Sequence, residues 1–192
     1  MGLLDTLFGR TKPVKSKSDQ LFAMATASIT LQTKLDLQAS GAAGIVFRPV
    51  ESSYFRQAEE ELTQLLELSS KESSVSIRTE TDEYGYRWIV LTDKLFEDLV
   101  ATIHMVSLTL TDKGFGEQLL AAVFRMNQAD AANRPVYWVY NYKRGSFYPF
   151  VPQGTAQHRD NAAELHFSTI MDGELPVEKA PEYWYALWGI PF

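Results

Sequence analysis

The chain has 192 residues, no cysteine and a formal net charge of −6, and 45% of its residues are hydrophobic. This length suits one globular domain with a sizeable core. The lack of cysteine excludes disulfides, cysteine-ligated metals and thiol catalysis. The acidic balance argues against non-specific nucleic-acid binding. No apolar run is long enough to cross a bilayer, and no secretory signal is recognised, so we expect a cytoplasmic protein.

The charge is unevenly distributed along the chain. Residues 1–17 carry four basic side chains and one acidic one, so the acidic excess lies within residues 18–192. The large apolar residues of the first segment recur at i,i+4 spacings, which predict a short amphipathic helix. They are Leu3, Leu4, Leu7 and Phe8. Three roles are open for this helix: docking on a partner, docking on the rest of the chain, or weak contact with an anionic membrane. The remaining alternative is that the segment is disordered.

Residues 18–192 predict one domain built from helices and hairpins. Helices are expected where apolar residues recur every three or four positions, and strands where apolar and polar residues alternate. The predicted helices cover 19–25, 53–69, 94–111 and 161–171, the last of which starts at a capping box. The predicted strands cover 29–32, 44–50, 75–82, 86–91, 118–126, 136–142 and 147–151. Because the strands come mostly as hairpins, we expect an α+β fold with a largely antiparallel sheet.

Three further features need separate comment. Residues 118–126 are almost continuously apolar, which fits a buried helix as well as a strand, and we favour a strand because two more strands follow. Gly41 and Gly44 predict a link between two strands. Residues 174–192 contain several prolines and aromatic residues and are expected to form an irregular C-terminal tail.

Signals for catalysis or metal binding are weak. The histidines His104, His158 and His166 lack any spacing typical of metal ligands, so structural roles are the simpler interpretation. Residues 114–116 form a lone G-x-G after a helix, which predicts a turn rather than a phosphate site. We therefore expect no metal, no cofactor and no catalytic residue. The alternative is a ligand-binding or enzymatic pocket under the hairpin at 137–152, and its polar groups would be Asp82, Glu83, Arg144 and His158.

The hairpin at 137–152 is dense in aromatic side chains. Alternation along a strand places half of these rings in the core, and the other half would then be free to form a protein-binding surface. The candidate partner-binding residues of this hairpin are Tyr137, Tyr140, Tyr142, Arg144, Phe147 and Tyr148. The simpler alternative is that all of the rings belong to the core.

Five stretches of the chain carry a family resemblance. They are Gly2–Pro13, Thr81–Trp88, Phe96–Val100, Gly114–Leu120 and the hairpin at 137–152. Together they resemble the PspA-associated protein B (PspAB) family of bacteria and archaea, over nearly the full chain.

The resemblance implies a setting more than a reaction. The family is encoded near phage-shock protein A, a coiled-coil membrane-remodelling protein of envelope stress, and in some genomes near an HtpX-type membrane protease. No activity or catalytic residue is established for it. Its α+β pattern is also similar to YbjN-like and secretion-chaperone-like domains, which bind protein segments, although a fold alone does not decide function.

These observations predict a non-enzymatic adaptor or chaperone-like protein associated with phage-shock protein A in the envelope stress response. Its expected partner is a coiled-coil protein, and a homo-oligomer is compatible with the sequence. The expected location is the cytoplasm, either free or peripheral to the inner face of the membrane. Two alternatives stay open: a ligand-binding or enzymatic domain, and a weak peripheral membrane binder that acts through residues 1–17.

Overall fold

The structure is a computed structural model that describes residues 17–72, 74–129, 134–154 and 157–192. The helices are α1 (Ala23–Leu35), α2 (Ser53–Glu72), α3 (Phe96–Asp112) and α4 (Asn161–Met171). The strands are β1 (Leu37–Phe47), β2 (Ser76–Thr81), β3 (Arg87–Thr92), β4 (Leu119–Gln128), β5 (Pro135–Asn141), β6 (Ser146–Phe150), β7 (Pro152–Gln153) and β8 (His158–Arg159). Short 3-10 helices cover Lys17–Phe22, Gly116–Gln118 and Pro181–Tyr183.

Six strands form one antiparallel sheet in the order β2-β3-β1-β4-β5-β6. The long strand β1 lies inside the sheet, where Ala43 is opposite Leu91 of β3 on one side and Phe124 of β4 on the other. The two hairpins, β2–β3 and β5–β6, lie at the two edges of the sheet. The predicted α+β class with an antiparallel sheet is confirmed.

Alternation along the strands gives the sheet two apolar faces. One face, here called the helical face, packs against all four α-helices through residues such as Phe47, Phe124 and Trp138. The other face, here called the tail face, is covered by residues near the end of the chain, including Trp184, Trp188 and Phe192. Most antiparallel sheets with helices on one side leave the other side to water, so this second cover is a distinctive feature of the fold.

Most predicted elements are confirmed, but the region before β1 is not. The predicted strand 29–32 is wrong, because these residues belong to α1, whose buried residues Met24, Ala27, Leu31 and Leu35 follow helical spacing. Gly41 and Gly44 do not separate two strands; both lie inside β1. Gly41 has a φ of 79°, and a Cβ atom there would lie 2.8 Å from the carbonyl oxygen of Asp93. A close approach of backbone, rather than a turn, therefore explains this glycine.

The start of α4 also differs from its prediction. The side chain of Asp160, not Asn161, caps the helix by accepting a hydrogen bond from the Ala163 N–H at 3.0 Å. Glu164 does not complete a capping box, because its carboxylate is buried against Arg159. Among the helices in the described part of the chain, none has the length and apolar character that a bilayer span requires.

Candidate protein-binding surface

The residues predicted to bind a partner fall into two groups. Leu3, Leu4, Leu7 and Phe8 lie outside the described residues, so their role stays a prediction. The second group lies on the β5–β6 hairpin, and the structure gives each member a definite environment.

Three of the hairpin rings belong to the core of the helical face. Tyr140 and Phe147 have no exposed surface, and Tyr142 is 8% exposed. The Tyr140 ring centroid lies 4.7 Å from that of Phe147 and 5.2 Å from that of Tyr142. Burial raises the pKa of the Tyr142 phenol. The expectation that these rings form an exposed surface is wrong, because the alternation of both strands turns them towards the helices.

The other two rings face the tail side of the sheet and are covered by the chain itself. The Tyr137 hydroxyl donates to the Phe192 carbonyl oxygen at 3.1 Å, and the Tyr148 hydroxyl donates to the Tyr185 carbonyl oxygen at 3.0 Å. Burial raises the pKa of both phenols. The segment at 184–192 thus occupies the place that the sequence analysis gave to a partner.

Arg144 lies in the β5–β6 turn and is held by residues of the C-terminal region. Its guanidinium binds the carboxylate of Glu178, which also accepts a hydrogen bond from the Ser146 hydroxyl at 3.1 Å. The guanidinium also stacks over the Tyr183 ring, 3.7 Å from its centroid. The hydrogen bond between them lowers the pKa of Glu178 and raises that of Arg144. Arg144 therefore ties the turn to the C-terminal region.

The C-terminal segment is further fixed by a buried ion pair. The Glu164 carboxylate is 2.9 Å from the Arg159 guanidinium and accepts the Val151 N–H at 2.8 Å. Arg159 in turn donates to the Trp184 carbonyl oxygen at 2.6 Å. Because a buried carboxylate needs such partners, this network ties the position of the segment to α4.

The polar groups of the predicted pocket do not converge. Asp82 lies at the turn of the β2–β3 hairpin and Arg144 at the turn of the β5–β6 hairpin. The nearest strands of these hairpins, β3 and β5, are three strand spacings apart, so roughly 14 Å of sheet separates the two turns. Asp82 has a structural role, since its carboxylate accepts the N–H groups of Tyr84 and Tyr86 and the indole N–H of Trp88. Beneath the hairpin, fully buried rings fill the space. The predicted pocket at that place is wrong.

The histidines have separate surroundings. The His104 ring packs against the Phe22 ring at a tilted angle with centroids 4.3 Å apart, and the His166 ring lies 5.9 Å from that of Phe167. His158 is exposed on β8. Over the described ranges, no group of three or more potential metal-ligating side chains occurs.

An open cleft that the sequence did not indicate lies between α2 and the β2–β3 hairpin. Its volume is about 400 Å³. The apolar lining comes from Phe47, Leu62, Leu66 and Ile89, and the polar rim from Arg56, Glu59, Glu60, Thr63, Gln64, Thr79 and Arg87. Across the cleft, Glu59 and Arg87 approach to 3.5 Å. The apolar residues along one side of α2 predicted that the helix packs on the sheet. This pattern does not show where the packing leaves a cleft.

A smaller cleft of about 210 Å³ lies where the β2–β3 turn meets the C-terminal segment. It is lined by Glu80, Asp82, Glu83, Tyr84, Trp88, Trp188, Gly189 and Pro191. The charge of Glu83 raises the pKa of the exposed Tyr84 phenol. Aromatic rings beside carboxylates are a setting that suits a cationic side chain.

These features define an antiparallel α+β protein with helices on one face of the sheet, a covered second face and an open cleft at one edge. The chain belongs to the PspAB family, described as PspA associated protein B, whose family model matches residues 1–192. Neither the curated proteins nor the solved structures gave a significant match. The expected likeness to YbjN-like and secretion-chaperone-like domains is therefore not confirmed.

Proposed function

We propose that the chain is a non-enzymatic adaptor that binds phage-shock protein A. The family description supports this association with PspA. Residues 1–17 would supply a basic docking segment and residues 18–192 the folded body.

The cleft between α2 and the β2–β3 hairpin is the observation that supports binding by the body. An apolar floor with a charged rim suits one face of an amphipathic helix. Leu62 and Ile89 supply apolar contacts, while Arg56, Glu59 and Glu60 supply charges of both signs at the rim. A coiled-coil protein presents helices with such mixed charged flanks. A helix of phage-shock protein A is therefore the occupant that we assign to this cleft.

The test is a pull-down of the chain with immobilised phage-shock protein A. Thr63→Arg places a long cation in the cleft, because Thr63 is exposed and lines it. Gln57→Arg is the matched control, since Gln57 is also an exposed polar residue of α2 but does not line the cleft. We expect the Thr63 variant to lose at least tenfold in affinity and the control to bind as the parent does.

A chain without residues 1–17 tests the other half of the proposal. We expect it to bind more weakly than the full chain, and more so at low salt, because the deleted segment is basic. Equal, negligible recovery of both forms would count against the adaptor role. Co-sedimentation with anionic vesicles is run in parallel. If the chain binds vesicles in a salt-sensitive way but is not recovered with phage-shock protein A, a peripheral membrane-binding function would replace the proposed adaptor function.

A further inference from the structure

We propose that two copies of the chain pair through the outer edges of their β2 strands, antiparallel, about a two-fold axis at Thr79. The inference goes beyond association with phage-shock protein A, because the partner is a second copy of this chain. It rests on the open edge of β2, on the hydrogen-bonding alternation of that strand and on the order of its charges.

The outer edge of β2 is unpaired within the described residues, since β2 is the first strand of the sheet. The Asp82 N–H donates to the Tyr86 carbonyl oxygen at 3.0 Å, and these two residues continue the register of the β2–β3 pair. Backbone groups alternate along a strand, so those of Ser76, Arg78 and Glu80 point to β3. Those of Ile77, Thr79 and Thr81 point outward, where a second strand can bind them.

The alternation limits how two such edges can pair. In an antiparallel pair, a residue whose backbone groups point outward must lie opposite another such residue. The two-fold axis therefore passes through a residue of the strand and not between two residues. An axis at Arg78 would place two arginines face to face, and an axis at Glu80 would do the same with two glutamates. Like charges directly opposite each other destabilise a strand pair.

An axis at Thr79 gives the favourable arrangement. It sets Arg78 opposite Glu80 of the second copy, twice by symmetry, and Thr79 opposite itself. Opposite charges and threonine pairs both stabilise antiparallel strands. The remaining pair, Ile77 with Thr81 of the second copy, joins an apolar to a small polar residue. Of the axes through Arg78, Thr79 and Glu80, only the one at Thr79 sets opposite charges against each other.

The two charged side chains are partly exposed, and the Arg78 guanidinium also donates to the Pro191 carbonyl oxygen. Arg78 and Glu80 form an ion pair along the strand, and their side chains are 48% and 40% exposed. In the dimer each charge would have an opposite charge both beside it and across from it. Charged side chains and proline commonly protect edge strands from pairing. β2 contains no proline, and its two charges are opposite in sign, so they oppose pairing only in registers that bring like charges together.

On the helical face, the proposed strand contact lies beside the cleft between α2 and the β2–β3 hairpin. Thr79 lines the cleft between α2 and the β2–β3 hairpin, so the clefts of the two copies would face each other across the axis. The shared strand edge is short, with Ser76–Thr81 as its full extent. Interfaces of this small size are weak and transient, so we expect dimerisation to depend on protein concentration.

A cysteine introduced at the axis tests the register directly, because the native chain contains none. In a hydrogen-bonded pair the Cα atoms are about 5.5 Å apart, within the range of a disulfide. Thr79→Cys should therefore give a covalent dimer under mild oxidation. Thr81→Cys is the matched control: it is exposed on the same strand but faces Ile77 of the second copy. We expect it to stay monomeric at the same concentration.

Charge reversal tests the cross-strand pairs in solution by sedimentation equilibrium over two decades of concentration. Arg78→Glu and Glu80→Arg should each weaken dimerisation about tenfold, since both symmetric pairs become repulsive. The double variant R78E/E80R restores opposite charges and should dimerise as the parent does. Circular dichroism confirms that each variant is folded.

The outcomes are decisive in both directions. Cross-linking at Thr79 but not at Thr81, with rescue by the double reversal, supports the proposed pairing. Equal cross-linking at both positions would show random collision or another register and overturn it. A parent chain that stays monomeric at every concentration would also overturn it. None of these results depends on whether the adaptor proposal succeeds.

Discussion

Phe192 lies over Gly44 in the middle of the tail face, and Gly44→Ala tests whether the C-terminal segment closes that face. A Cβ atom at position 44 would lie 2.6 Å from Cε1 of Phe192 and 3.3 Å from the Ile89 carbonyl oxygen. Ordinary contact distances start near 3.4 Å. The ring must therefore retreat by about 0.8 Å, which weakens its packing.

The size of the effect follows from the contacts of the ring. The Phe192 centroid lies 6.2 Å from that of Trp88 and 6.4 Å from that of Tyr137, both in edge-to-face geometry. Overpacking of this kind costs about 1.5 kcal/mol when the displaced ring is only half-buried. Phe192→Ala alone should cost about 2 kcal/mol, half the loss of a fully buried phenylalanine. Without the ring, Gly44→Ala should be neutral or stabilising by about 0.5 kcal/mol.

A double-mutant cycle measured by urea unfolding gives the coupling between the two sites. Fluorescence is a suitable probe, because Trp88, Trp184 and Trp188 all pack on this face. We expect the free energy of unfolding of the double variant to exceed the additive value by about 2 kcal/mol. Additivity within about 0.5 kcal/mol would show that Phe192 does not pack on Gly44, and the argument for a covered face would fail.

Two further predictions concern the ion pairs that hold the C-terminal region. The hydrogen bond from Arg144 holds the pKa of Glu178 in the folded state below the ordinary glutamate value of 4.5. The pair therefore stabilises the fold fully above pH 4.5, and this contribution is lost as the pH falls through the lowered pKa. Glu178→Gln should therefore cost about 1 kcal/mol at neutral pH and flatten the acid limb of a pH series of urea unfolding curves, and an unchanged limb would contradict this. Glu164→Ala leaves the half-buried Arg159 without its carboxylate and should cost about 3 kcal/mol, whereas the double variant with Arg159→Met should recover part of the loss in thermal melts. A cost below about 1 kcal/mol for Glu164→Ala would mean that the pair is solvated.

The sequence predicted elements well where local periodicity agrees with the final packing. The stripe of α3 is an example, because its buried residues follow helical spacing. It failed at Ile29, where β-branched residues locally favour a strand but the spacing of Met24, Ala27, Leu31 and Leu35 favours a helix. Burial of that apolar stripe prevailed over the local preference.

The candidate site was harder to predict, because tertiary neighbours decide it. Gly44 looked like a break in a strand, but its lack of a side chain makes room for a ring that is distant in sequence. Alternation correctly divided the hairpin rings between two faces, yet it could not show that residues near 192 cover one of them. An irregular segment has no period, so its docking site is not visible in the sequence.

The placement of β1 has a consequence for how the chain is made. Gly44 lies between Val90 of β3 and Val123 of β4, so neither neighbour of β1 exists when β1 leaves the ribosome. Pairings so distant in sequence make folding slow, and an unpaired strand of this length is prone to aggregation meanwhile. Synthesis must reach Gln128 before both edges of β1 are satisfied. Nascent chains arrested before that point should therefore need a chaperone, while chains arrested after β6 should need less help.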